Sequence, residues 1–191
     1  SAPDRRQRIV GDVQPSVGYM HAGYPIYTHL DVWQSSLEKG EVCHMLDAAS
    51  LAQKGSWGVF HELGHNFQRD AWTFEGTREV TVNLFTLFSH EVLCGKTVSG
   101  MMAEHMEHEA FFSEGPSFSR WQQEPFTALR TYSEVVEAFG WEPLRRCLRE
   151  YEAPGAQPQT LEEQIGTFVE RLSRQCGHDL RPHFGSWTVP C

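Results

Sequence analysis

Apolar residues recur at helical spacing over most of the chain. Val80, Leu84, Leu87, Phe88 and Val92 form one face and predict a helix from about Thr77 to Leu93, ended by Gly95. Upstream, Ser56 is placed to cap a helix that runs through Trp57-Gly58-Val59-Phe60 to about Arg69. The aromatic loop Trp72-Thr73-Phe74-Glu75-Gly76 separates the two. Shorter helical patterns cover residues 47–54, stopped by Gly55, and residues 101–112, rich in Glu and His. Residues 127–139 and 141–151 are amphipathic, with Gly140 between them. Thr160-Leu161-Glu162-Glu163 reads as a capping box opening a helix to about Cys176, closed by Gly177.

The N-terminal part differs. Residues 8–13 and 17–27 mix Val, Ile and Tyr with Gly and Pro, and predict two short strands. Pro25 cannot donate to a ladder, which confines the second strand to a sheet edge. The predicted fold class is α+β, mainly α, with a small N-terminal sheet edge and a helical C-terminal part. One domain over residues 1–191 is expected, with a strand-rich portion (8–55), a helix pair (56–95) and a helical remainder (96–191).

Composition narrows the function. Of 191 residues 40% are hydrophobic, enough for a core, and the formal net charge is −9. A nucleic-acid partner would need a basic face, and Lys and Arg are scattered. No apolar run approaches the ~18 residues of a membrane span. The five cysteines are widely spaced and form no CxxC pair. That usage predicts reduced, buried thiols in a cytoplasmic protein, with secretion left open.

The chemistry lies in His61-Glu62-Leu63-Gly64-His65. Histidines four apart on a helix share a face, so both imidazoles reach one ion. Zinc favours such nitrogen ligands and, in catalytic sites, leaves one position for water. Glu62, one residue after the first ligand, is placed to accept that water's proton. Gln68 and Ala71 stand where the longer metzincin pattern needs Gly and His, which excludes that subclass. Glu79, at the start of the next helix, is the best-placed third ligand. Glu75 in the loop and His90 and Glu91 about three turns on are the alternatives.

Around this set, Asn83 lies one turn after Glu79, where it can orient a metal-bound histidine or fill a buried position. His90 continues that face as a substrate contact or an exposed side chain. Tyr19, Tyr24, Tyr132 and His90 are candidates to stabilise an oxyanion, and the sequence does not choose among them. His105, Glu107, His108 and Glu109 match no metal spacing and read as a solvated helix face. The segment His21-Ala22-Gly23-Tyr24 is expected to present an exposed edge near the metal.

Trp57-Gly58-Val59-Phe60-His61-Glu62-Leu63-Gly64-His65-Asn66-Phe67-Gln68, followed by Trp72-Thr73-Phe74 and Glu79-Val80-Thr81-Val82-Asn83-Leu84-Phe85, resembles the enhancin-like, mucin-degrading gluzincin peptidases. So do His21-Ala22-Gly23-Tyr24-Pro25-Ile26, Phe139-Gly140-Trp141-Glu142-Pro143-Leu144 and Asp179-Leu180-Arg181-Pro182-His183-Phe184-Gly185-Ser186-Trp187. Within that family the wording is most similar to the vertebrate TRP-channel-associated factors. The resemblance implies a gluzincin (thermolysin-like) catalytic domain with zinc on His61, His65 and Glu79 and with Glu62 as acid/base. It also implies a family domain that starts before residue 1, so that part of the N-terminal sheet is expected to be missing. Two functions follow from it. One is a zinc endopeptidase acting on peptides or glycopeptides. The other is a regulatory binding module for a melastatin-type TRP cation channel. A site holding zinc for structure alone is a third reading. Such sites usually take four protein ligands.

Overall fold

A computed structural model describes residues 6–13, 18–29, 47–105, 107–153, 155 and 158–191. It is mainly helical with one small sheet, an α+β chain in which α dominates. The chain forms two compact units, one of residues 1–67 and 85–96, the other of residues 68–84 and 97–191.

In the first unit, β1 (Ile9–Asp12), β2 (Met20–His21) and β3 (Ile26–His29) make a three-stranded sheet in the order β1-β3-β2. β1 runs parallel to β3, with Ile9 opposite Ile26, and β2 runs antiparallel to it, with Met20 opposite Thr28. The expected second strand is therefore two strands, and Pro25 does not sit on an edge strand. It lies in the turn just before β3, which is central; its missing N–H costs nothing because the ladder begins at the next residue, where Ile26 N–H donates to Arg8 C=O at 2.9 Å. The edge is β2. Val17 lies outside the described residues.

Two helices follow. α1 (Ala48–Lys54) is capped by the Asp47 carboxylate, which accepts from the Ala49 and Ser50 N–H groups. α2 (Trp57–His65) is capped by Ser56, whose hydroxyl accepts from Val59 N–H. α2 stops four residues before the expected Arg69. Asn66 N–H and Phe67 N–H turn back to Leu63 and Gly64 carbonyls, closing the last turn with i→i−3 bonds. Val59 and Phe60 are buried, with Ile9, Met20, Leu51 and Cys94 packed against them. This core seats α2 on the sheet.

Gly55 joins α1 to α2 with φ 72° and ψ 175°, backbone that only glycine adopts freely. A Cβ there would stand 2.5 Å from Cδ2 and 2.6 Å from Nε2 of His90. Gly55→Ala is therefore expected to lower stability by about 2–3 kcal/mol, from backbone strain and overpacking together. Urea denaturation checks this; a loss under ~0.5 kcal/mol, the size of a neutral surface change, would contradict it.

α3 (Arg78–Cys94) contributes residues 78–84 to the second unit and 85–94 to the first. Val80, Leu84 and Leu87 are buried as expected, but so are Thr81, Val82, Asn83, Thr86 and His90. α3 is enclosed on nearly all sides rather than along one stripe. Val92 departs from its expected place on the apolar face and is 60% exposed, as is its neighbour Leu93 at 58%.

In the second unit the helix expected at 101–112 is two, α4 (Val98–Met102) and α5 (Glu107–Ser113). Thr97 caps α4, and i→i−3 bonds from Glu104 and His105 tighten its end. α6 (Phe118–Gln123) and α10 (Arg181–Ser186) are short helices that periodicity did not reveal. α7 (Pro125–Phe139) and α8 (Trp141–Glu150) flank Gly140 as expected. α9 (Leu161–Cys176) has the full capping box at Thr160 and Glu163 and ends at left-handed Gly177. Trp121, Tyr132, Phe168 and Phe184 are fully buried at the centre of this unit. Tyr132 meets Phe168 and Phe184 edge-on, with both ring centres 5.7 Å away.

Candidate metal centre

Helical spacing on α2 puts His61 and His65 one turn apart, and their Nε2 atoms face each other at 3.1 Å. The rings stand edge to face with centroids 4.7 Å apart. Glu79 lies in the first turn of α3, and one ligand atom from each of His61, His65 and Glu79 falls within 4.8 Å of the others. The histidines are half-buried and Glu79 is exposed.

Two nitrogens bonded to one zinc ion at ~2.0–2.1 Å across a tetrahedral angle stand about 3.3 Å apart. The 3.1 Å observed between the histidines fits that chord. The 4.8 Å bound slightly exceeds the ~4 Å that two ligands of one ion can span. Two imidazole nitrogens and one carboxylate oxygen form a donor set suited to zinc, with a fourth position open to water. Among the described residues, this is the one group of three or more His, Cys, Asp or Glu side chains placed to share an ion. Glu62 is half-buried on α2.

The remaining candidates fall elsewhere. Asn83 is buried, and its Nδ2 donates to Glu79 C=O at 2.8 Å. His90 is neither exposed nor a substrate contact. It is 3% exposed, packed against Trp57 and edge-on to Phe60, with Nδ1 at 3.0 Å from Thr86 C=O. Burial holds its pKa below the ordinary histidine value; the Thr86 bond opposes this and the Lys96 charge adds to it. Tyr132 is a core residue whose burial raises its phenol well above the usual range, which removes it from the oxyanion candidates along with His90. Tyr19 is 38% exposed and stacks on His29; Tyr24 is half-buried. His105 and His108 do not form a solvated face, since His105 stacks on Phe126 at 3.7 Å and His108 lies beside Trp187. Glu109 is exposed, and the Glu107 side chain lies outside the described residues.

Sequence patterns did not single out Asn66, which ends α2 directly after His65. Its Oδ1 accepts from Gly23 N–H at 3.0 Å, and its Nδ2 donates to Gly23 C=O at 3.0 Å and to Gln7 Oε1 at 3.1 Å. One amide thus engages both backbone groups of Gly23, whose φ is 141°. The segment after β2 lies beside the end of α2, and at Gly23 its backbone is already paired. A polar residue directly after an apolar helix was the available signal. Asn66→Ala is expected to cost about 1–3 kcal/mol, because Gly23 loses its partners. Asn66→Asp, which keeps the acceptor alone, should recover part of that in urea titrations. An alanine variant as stable as the parent would remove Asn66 from this role.

Comparison with known proteins places the chain in a family. TRPM8 channel-associated factor 1 of Homo sapiens is 37% identical over 191 residues, covering 96% of this chain and 20% of that protein. TRPM8 channel-associated factor 2 of Bos taurus is 34% identical over 193 residues, covering 97% of this chain and 20% of that protein. The chain spans about a fifth of the length of these curated relatives. The crystal structure of a conserved protein of unknown function from Bacillus anthracis str. Ames superposes with a TM-score of 0.74 at 26% identity, over 95% of this chain and 36% of that one. The family model described as peptidase M60, enhancin and enhancin-like, matches residues 1–188. The chain belongs to the peptidase M60, enhancin and enhancin-like, family.

Proposed function

We propose that this chain is a gluzincin-type (thermolysin-like) zinc endopeptidase domain that hydrolyses peptide bonds, glycosylated proteins included. The observation that carries the reading is the meeting of His61 Nε2 and His65 Nε2 at 3.1 Å with a Glu79 carboxylate oxygen inside the same 4.8 Å cluster. His61, His65 and Glu79 hold the metal. Zinc, when bound, supplies Lewis acidity and an acidified water.

The chain's own groups do the rest. The Glu62 carboxylate takes a proton from the attacking water and passes it to the amide nitrogen as the peptide bond breaks. Glu62 can do this because it follows His61 by one residue, about 100° round the helix and off the His61–His65 row. Asn83 anchors the backbone of Glu79. β2, an edge strand among the described residues, supports main-chain pairing with an extended substrate.

A second reading rests on the names of the relatives: the domain binds a melastatin-type TRP channel and modulates it, in the cytoplasm or peripherally at the plasma membrane. Among the described residues no helix is long and apolar enough to cross a membrane. Metal analysis of the purified chain, paired with cleavage of a peptide and mucin-type glycopeptide library, tests the first reading. One zinc per chain and cleavage blocked by a chelator are expected. A chain that takes up no zinc and cleaves nothing, yet binds the channel, leaves only the second.

A further inference from the structure

The turn after α2 carries a side chain that reaches the first turn of α3. Gln68 Nε2 donates to Arg78 C=O at 2.7 Å and to Thr81 Oγ1 at 2.7 Å. Thr81 is buried, donates to Thr77 C=O at 3.1 Å, and stands 3.4 Å from Thr73 Oγ1. On the other side of Glu79, Asn83 Nδ2 donates to Glu79 C=O at 2.8 Å. The peptide before Glu79 is therefore held at its oxygen by Gln68, and the peptide after it by Asn83. Peptide units are rigid planes, so holding both sides of a Cα fixes the direction of its Cα–Cβ bond. Glu79 is exposed and lies where the helix ladder is only starting, so the hold on its backbone bears on where its carboxylate stands.

We propose that Gln68 is a positioning residue that aims the Glu79 carboxylate at the position shared with His61 and His65. The inference rests on the zinc-peptidase reading above. Gln68 stands where the metzincin pattern has glycine, and its amide here bonds the turn that carries Glu79.

Zinc affinity, measured by chelator competition at a temperature where circular dichroism shows every variant folded, tests this. Gln68→Ala is expected to weaken zinc binding by roughly tenfold to a hundredfold, the usual cost of losing a residue that orients a ligand. Gln68→Glu, of equal size but without the donor, should weaken it as much. A double-mutant cycle separates positioning from general support. In a Glu79→Ala background, Gln68→Ala should change zinc affinity by less than about twofold, because the group it aims is gone. Equal losses with and without Glu79 would overturn the inference and leave the zinc site standing. So would an unchanged affinity in Gln68→Ala, or a Gln68→Glu protein that binds as the parent does. A parent chain that binds no zinc would overturn the inference together with the reading beneath it.

Discussion

Glu62→Gln is expected to keep its fold and its zinc and to lose peptide cleavage by ~10²–10⁴-fold, the range credited to general acid–base catalysis. Gln matches Glu in size, so the half-buried position on α2 is not vacated. It cannot accept a proton at neutral pH, and that is the capacity the reaction needs. Because Glu62 lies off the row that carries His61 and His65, metal content should match that of the parent chain. His61→Ala should behave differently: losing one of three ligands releases zinc, and any folding free energy supplied by the metal goes with it. The same pair of variants separates the two functions. Channel binding that depends only on surface is indifferent to Glu62→Gln, whereas hydrolysis is not. If the parent cleaves a glycopeptide and Glu62→Gln cleaves it equally fast, the proton-transfer role assigned here is wrong.

The helices were legible where their caps are local. Asp47, Ser56, Thr160 and Glu163 each satisfy backbone donors within their own turn, and those starts fall where the sequence put them. The juxtaposition of His61 and His65 was equally legible, since a four-residue helical spacing determines it. What failed depended on partners distant in sequence. Pro25 suggested an edge strand, but whether β3 is central depends on β1 pairing with it from seventeen residues away, as Ile9 does with Ile26, which no local pattern encodes. His90 looked like a continuation of the Glu79 and Asn83 face, yet Trp57, Phe60 and Gly55 close over it. Asn66 was a plain polar letter in the sequence, and Gln68 served there only to exclude the metzincin pattern. Their importance lies in which carbonyls they meet, at Gly23 and Arg78, and that becomes visible only with coordinates.

Trp121→Ala is expected to cost about 3–5 kcal/mol, the largest stability effect of any single change considered. Trp121 is fully buried, with Phe118 and Phe74 stacked against it at 5.7 and 6.5 Å and Tyr132 tilted beside it. Its Nε1–H donates to the buried Thr131 hydroxyl at 2.9 Å. Truncation removes the ring contacts and takes the donor from that hydroxyl; Trp121→Phe keeps most of the first and should cost only about 1–3 kcal/mol. The consequence extends to the candidate metal centre along a short path. Phe74, one of the stacked rings, has a carbonyl that accepts from both Thr77 N–H, at 2.9 Å, and Thr77 Oγ1, at 2.7 Å. Thr77 C=O in turn accepts from the Val80 and Thr81 N–H groups, forming the turn from which Glu79 projects. Loosening Phe74 should therefore weaken zinc binding in Trp121→Ala protein that is still folded at low temperature, whereas Trp121→Phe should bind nearly as the parent does. Urea titration measures the first effect and chelator competition the second. A midpoint shift worth less than about 1 kcal/mol would deny Trp121 its place at the centre of this core. Full zinc affinity in a strongly destabilised but folded Trp121→Ala chain would show that the Glu79 turn holds its shape without Phe74.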